Sequence, residues 1–106
     1  MRQERDVGYI YMISNDNGDK YIGSTYKFNV RILDHKYNCG AVNNRKYNYR
    51  IYKKIREGGG WDNYNKRIID VYDNITARDL CKIEQDYINK FDCNMNSVNS
   101  FNPVSV

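Results

Sequence analysis

The sequence predicts a small α+β domain in which helices pack on a short sheet, with the element order ββααβα. Two runs of β-forming residues are separated by a strong turn signal, which is typical of a β-hairpin. Three later segments have apolar side chains at helical intervals, and one further β-rich run lies between the second and third of them. The length of 106 residues fits one domain over 1–106.

The β-rich runs give three strands. We expect the first strand at 8–14, followed by the turn sequence Asn15-Asp16-Asn17-Gly18 and a return strand at 20–23. A third strand fits 66–72, where isoleucine, valine and tyrosine are concentrated.

The helical segments are expected at 28–38, at 47–56 and from Thr76 to about Phe91. In the second of them, Ile51 and Ile55 stand at i and i+4, and three consecutive glycines at 58–60 end it. Thr76 with Asp79 at N3 approximates a capping box at the start of the last helix. Residues 92–106 are polar without periodicity, which indicates an irregular C-terminal tail.

Composition narrows the function classes. The net charge of +4 and a pI of about 8.9 permit a polyanionic partner without requiring one. The mean hydropathy is −0.87, and no apolar run approaches the roughly 18 residues needed to span a bilayer. Because the N-terminus also has no stretch shaped like a signal peptide, we expect an intracellular protein, in cytoplasm or nucleus, with no membrane partner.

Cys39, Cys81 and Cys93 are odd in number and far apart, so they predict neither a disulfide framework nor a C-x-x-C metal site. Asparagine and tyrosine are over-used, with fifteen and eleven copies. Both have A/T-rich codons, which suits a virus, a phage or a mobile element, but equally an A/T-rich cellular genome. Most of the tyrosines are explained in this way.

Glu84 is the most informative single residue. The last helix has one apolar stripe, made of Ala77, Leu80, Ile83, Tyr87, Ile88 and Phe91. Glu84 falls inside this stripe, between Leu80 and Ile88. A carboxylate there is costly unless it is paired or binds a metal. A buried ion pair, with Arg31 or a lysine, and a metal site both remain open.

The hairpin allows two registers. A two-residue loop at Asn17-Gly18 would pair Tyr21 with Ser14 and would place Tyr11 on the other face. A three-residue loop at 16–18, with Gly18 left-handed, would instead pair Tyr11 with Gly23 and bring Tyr11 and Tyr21 to one face. Only the second register builds a two-tyrosine site, and two core tyrosines would explain the same residues.

Arg31 and His35 share one face of the first helix, because they stand at i and i+4, with Asn38 beside them. Such a pair can address one phosphate, the arginine through its bidentate fork and the histidine through hydrogen bonding or proton transfer. Because the pair follows directly after the hairpin, the sequence favours a functional role for it.

Taken together, these motifs resemble the GIY-YIG nuclease family. Tyr9-Ile10-Tyr11 is followed ten residues later by Tyr21-Ile22-Gly23, then by Arg31 with His35, Glu84 and a late asparagine. The resemblance extends from Gly8 to Asn96 or a little beyond. It implies a three-stranded antiparallel sheet flanked by helices, and a metal-dependent endonuclease that cleaves phosphodiester bonds, usually in DNA.

By this resemblance, five residues are expected to be catalytic. Tyr11 matches the first-motif tyrosine, the general base of the family, and Tyr21 matches the second-motif tyrosine. Arg31 matches the helix arginine, and His35 the position one turn later, where members have histidine or tyrosine. Glu84 matches the sole metal-ligating glutamate, and a single carboxylate suits Mg²⁺, or Mn²⁺ in its place.

Three further residues are expected at the substrate side of the site: Gly23, Ser24 and Asn96. Gly23 leaves open space opposite Tyr11, and Ser24 stands where some members have a lysine. The C-terminal asparagine of the family best matches Asn96, with Asn99 as a competitor. Tyr9 replaces the first glycine of the first motif, a departure that leaves activity plausible.

DNA is the expected partner. The sequence shows no helix-turn-helix or zinc finger, so a homodimer and an associated or fused specificity partner both remain open. Two alternatives to an enzyme are a non-catalytic nucleic-acid-binding domain of the same fold and a basic structural domain in which the motifs are coincidental.

Overall fold

The structure of the protein is a computed structural model that describes residues 7–96. The order ββααβα and the antiparallel sheet are confirmed. The main elements are β1 (Gly8–Ser14), β2 (Lys20–Thr25), α1 (Phe28–Gly40), α2 (Arg50–Glu57), β3 (Asn65–Tyr72) and α3 (Ala77–Phe91). Short 3₁₀ turns lie at Arg45–Asn48 and Trp61–Asn63. Of the predicted tail, 97–106 lies outside the described residues.

The sheet has the strand order β2-β1-β3, so β1 is central. Ile10, Tyr11, Met12 and Ile13 are all buried, because helices cover both faces of this strand. This is why its sequence is continuously apolar and does not alternate. One face packs against a cluster that includes Cys39, Ile51, Tyr52, Ile55, Tyr64 and Met95, and the other packs against Leu80 and Ile88 of α3.

The hairpin adopts the register of the three-residue loop. Tyr11 pairs with Gly23 and Ile13 pairs with Tyr21, which places both tyrosines on the face covered by α1 and α2. The amide of Asn15 donates to the carbonyl of Asp19 and closes the loop at 16–18. Gly18 has φ +95°, which a residue with a side chain rarely adopts. The turn therefore decides that the two motif tyrosines share a face.

The helix predicted at 47–56 is two elements. A 3₁₀ turn at Arg45–Asn48 is followed by extended backbone at Tyr49, and α2 begins at Arg50. The side chain of Asn44 accepts a hydrogen bond from the amide of Lys46 and so caps the short turn separately. At the last helix, the predicted cap is confirmed, because the Thr76 hydroxyl accepts from the amide of Asp79.

No disulfide links Cys39, Cys81 and Cys93. Within the described range of 7–96, none of the helices is both long and apolar enough to cross a membrane.

Replacing Gly23 with alanine should destabilise the domain, because the new Cβ would overlap the Tyr11 phenol. Overpacking of this kind costs about 1–3 kcal/mol of the free energy of unfolding, which urea denaturation would measure. Gly40→Ala is the matched control, because a Cβ there meets nothing within 4 Å. A Gly23→Ala protein as stable as the wild type would contradict the close approach of Tyr11.

Candidate active site

Tyr11 lies at the middle of β1, beneath α1, and only 1% of its surface is exposed. Its hydroxyl lies 2.7 Å from Nε2 of His35. Burial raises the pKa of Tyr11 above its usual value, the charge of Tyr21 raises it further, and the Arg31 guanidinium opposes both through its charge and a hydrogen bond. Tyr11 is therefore a protonated phenol at neutral pH, with one cationic group beside it.

Tyr21 lies between Tyr11 and solvent. Its ring centroid is 6.3 Å from that of Tyr11 and 5.6 Å from that of His35. Burial raises the pKa of Tyr21 to about 12, and the charge of Glu84 adds to this. A hydrogen bond with Tyr11 acts in the opposite direction. The two motif tyrosines predicted from the sequence are thus direct neighbours.

His35 is completely buried. Its Nε2 contacts the Tyr11 hydroxyl, and its Nδ1 lies 2.7 Å from the hydroxyl of Tyr52. Burial, with the charges of Arg31 and Lys46, lowers the pKa of His35 to about 3, so the ring is neutral. Both ring nitrogens of His35 face tyrosine hydroxyls inside the core, and His35 does not line the cavity that Arg31 lines.

Arg31 projects from the same helix toward the mouth of the site. Its Nη1 lies 2.6 Å from Oδ2 of Asp34, a partly exposed i,i+3 ion pair. Its guanidinium is also near enough to Tyr11 and Tyr21 to lower the pKa of both. Arg31 therefore brings positive charge to the two phenols and to the space in front of them.

Glu84 approaches from α3, on the other side of the sheet, and is 9% exposed. Its Oε1 accepts a hydrogen bond of 2.5 Å from the Ser24 hydroxyl. Its charge raises the pKa of Tyr11 and of Tyr21, so all three groups belong to one electrostatic site. The carboxylate that interrupts the apolar stripe thus lies at the edge of β2, close to the tyrosines.

Asn96 pairs with the backbone of β2. Its Oδ1 accepts from the amide of Ile22, and its Nδ2 donates to the carbonyl of the same residue. Asn94 and Met95 make similar contacts with Lys20. Asn96 therefore continues the hydrogen bonding of the sheet at its β2 edge and fixes the strand that holds Tyr21, Gly23 and Ser24. The competitor Asn99 lies outside the described residues.

A cavity of about 240 Å³ opens along this edge. Its lining comes from β2, α1, the 3₁₀ turn, α2, α3 and the segment after α3: Tyr21, Arg31, Lys46, Tyr49, Arg50, Ile51, Tyr52, Glu84, Met95 and Asn96. It brings together Tyr21, Arg31 and Glu84, with Tyr11 and His35 directly behind. Gly23 faces the Tyr11 phenol and does not line the cavity.

The sequence did not indicate four lining residues: Lys46, Tyr49, Arg50 and Tyr52. Tyr49 is half exposed and stacks on Tyr52 with an interplanar angle of 12°. Lys46 and Arg50 add two cations to the rim. In the sequence these residues are part of an ordinary basic, tyrosine-rich stretch, and only the packing of α2 against α1 brings them to the site.

Metal donors are sparse. Among residues 7–96, no cluster of three or more histidine, cysteine, aspartate or glutamate side chains could hold an ion. Glu84 with Ser24 offers one carboxylate and one hydroxyl. This donor set fits Mg²⁺, which keeps several waters and is commonly bound by one or two carboxylates together with substrate phosphates.

The comparison with protein families agrees with this arrangement. The family model of the GIY-YIG catalytic domain matches residues 7–96, the range that contains the three-stranded antiparallel sheet and its helices. The chain belongs to the GIY-YIG family, whose members are endonucleases that act on DNA. Searches among curated proteins and among solved structures gave no significant match.

The ring of His35 should not titrate in the native protein between about pH 8 and about pH 5, because burial lowers its pKa to about 3. His35 is the one histidine of the chain, so its ring resonances in ¹H NMR need no assignment. In the urea-unfolded chain, which serves as the control, they should shift near pH 6.5.

The effect on stability follows from the same shift. The unfolded chain binds the proton first, so the contribution of His35 is complete above about pH 6.5 and is lost as the pH falls toward 3, by about 1.4 kcal/mol per pH unit. A native His35 that titrates near pH 6.5 would contradict its burial.

Proposed function

We propose that this protein is a metal-dependent endonuclease that hydrolyses phosphodiester bonds in DNA. The observation that supports this most directly is the cavity that Tyr21, Arg31 and Glu84 line together, although they come from three different elements. A phenol, a guanidinium and a carboxylate at one cavity provide a proton acceptor, a phosphate clamp and a metal ligand.

Glu84 is the residue that would hold the metal, with the Ser24 hydroxyl orienting its carboxylate. Mg²⁺ or Mn²⁺ bound there would polarise the scissile phosphate and stabilise the departing 3′ oxygen. Arg31 would neutralise charge on the non-bridging oxygens, because its guanidinium lines the same cavity. The same guanidinium also pairs with Asp34 one turn along α1.

Tyr11 is the proposed final proton acceptor. Because Tyr21 lines the cavity and Tyr11 is buried behind it, the proton of the attacking water passes to the Tyr21 oxygen while the Tyr21 proton passes to Tyr11. This transfer requires Tyr11 to be a phenolate, which Arg31 favours and burial opposes. His35 takes part through its contact with Tyr11 and does not touch the phosphate.

The rim formed by Lys46, Tyr49 and Arg50 is the proposed DNA contact next to the scissile phosphate. Lysine and arginine neutralise phosphates and release counterions, and an exposed aromatic ring can stack on an unpaired base. Arg50 also donates from Nε to the carbonyl of Asn94, so its side chain is held at the rim. With a net charge of only +4, binding should be weak and sensitive to salt.

Glu84→Gln and Arg31→Ala should each reduce Mg²⁺-dependent nicking of supercoiled plasmid by about 10²–10³-fold, because each removes a charge that acts on the transition state. Glu57→Gln makes the same chemical change at an exposed position of α2 and should cleave like the wild type. Circular dichroism would verify that each variant is folded.

Wild-type nicking without added divalent metal, or full activity of Glu84→Gln, would contradict the proposed metal role. DNA binding by the wild type without any cleavage would instead favour a non-catalytic binding domain of this fold.

A further inference from the structure

A series of hydrogen-bonded side chains leads from the half-buried Asn44, at the 3₁₀ turn, to the buried His35. The backbone amide of Lys46 can only donate, so the Asn44 atom 2.8 Å from it is the carbonyl oxygen. The Nδ2 of Asn44 therefore donates to Oδ1 of Asn38, at 3.2 Å. This fixes Nδ2 of Asn38 toward the hydroxyl of Tyr52, at 3.3 Å. The Tyr52 oxygen is thus an acceptor toward Asn38.

The hydroxyl proton of Tyr52 then has one acceptor among the described residues, which is Nδ1 of His35 at 2.7 Å. The opposite direction, with Nδ1–H donating to Tyr52, would leave this proton without a protein acceptor in the buried interior, at a cost of about 1–3 kcal/mol. His35 is completely buried and neutral, so only one of its ring nitrogens bears a proton. With Nδ1 as the acceptor, that nitrogen is Nε2.

We propose that Asn44, Asn38 and Tyr52 fix His35 in the tautomer protonated at Nε2, so that His35 donates a hydrogen bond to the Tyr11 oxygen. Asn38 and Tyr52 are then positioning residues for Tyr11, although neither belongs to the motifs of the sequence. The tautomer assignment follows from the hydrogen bonds and from the burial of His35, whereas its catalytic consequence rests on the proposed function.

The consequence concerns the charge on Tyr11. Its oxygen would receive hydrogen bonds from Nε2–H of His35 and from Arg31, and donors directed at a phenolate favour the charged form. His35 in this tautomer cannot take the proton of Tyr11, because the nitrogen that faces Tyr11 already bears one. It stabilises the phenolate as a neutral donor.

Two substitutions should reverse the direction of these hydrogen bonds while leaving the shape of the side chains almost unchanged. In Asn38→Asp, one carboxylate oxygen accepts from Asn44 and the other from Tyr52, which turns the Tyr52 oxygen toward His35 as an acceptor. In Asn44→Asp, the carboxylate requires Asn38 to donate to it and to present its own oxygen to Tyr52. Both variants should therefore convert His35 to the tautomer protonated at Nδ1.

The test is ¹⁵N NMR of the imidazole in the protein without DNA or metal, where the sole histidine makes the reading unambiguous. We expect Nε2–H in the wild type and Nδ1–H in Asn38→Asp and in Asn44→Asp. Asn43→Asp adds the same charge at an exposed neighbouring position and should keep Nε2–H.

Nδ1–H in the wild type would overturn the proposal, and so would Nε2–H, or protons on both nitrogens, in the folded Asp variants. The ¹⁵N spectrum of the wild type decides the tautomer of His35 even if neither variant folds.

Plasmid nicking gives the second readout. A variant with the reversed tautomer should cleave at least about tenfold more slowly than the wild type and Asn43→Asp, because Tyr11 loses a donor. A reversed tautomer with unchanged cleavage would refute the positioning role. Failure of the wild type to cleave DNA would refute the proposed function and leave the tautomer assignment intact, so the two failures are distinguishable.

Discussion

The contact between His35 and two tyrosine hydroxyls is the constraint on which the rest of the site depends. The imidazole ties β1, α1 and α2 together, because its nitrogens meet Tyr11 from the sheet and Tyr52 from α2. Both contacts are buried, so breaking either one would leave a polar group unsatisfied in the interior, which is more costly than losing an exposed hydrogen bond. This cost holds α2, and with it the rim of the cavity, against the motif tyrosines.

A second constraint fixes where the cavity opens. The carboxylate of Glu84 belongs to the helix on one face of the sheet and the tyrosines belong to the other, so they can meet only around an edge. They meet at β2, where Ser24 contacts Glu84 and Asn96 completes the backbone hydrogen bonding of the strand. The edge strand β2 thereby forms one wall of the site. Its Ile22 amide is not left unpaired, because it donates to Asn96.

The sequence was informative where a local rule applied and silent where packing decided. Helical periodicity singled out Glu84, and the family motifs identified Tyr11, Tyr21 and Arg31. The turn at 16–18 allowed two registers, and which one forms depends on the sheet as a whole. The break at Tyr49 was missed, because a side-chain cap at Asn44 outweighed helical spacing. Asn38 was placed beside Arg31 and His35, but its hydrogen bonds were not predicted. Tyr52 and Asn44 could not be found, since nothing in their local pattern distinguishes them from the other residues of a tyrosine- and asparagine-rich stretch.

The central claim is that Tyr11, through Tyr21, is the final proton acceptor when water attacks, and single-turnover cleavage measured against pH tests it most directly. Burial holds the pKa of Tyr11 above its usual value, so the phenolate fraction grows about tenfold per pH unit across the neutral range. The wild-type rate should therefore rise with a slope near one between about pH 6 and about pH 9, and Tyr11→Phe should be at least about 100-fold slower. A Tyr11→Phe protein that cleaves at the wild-type rate with the same pH dependence would contradict the account.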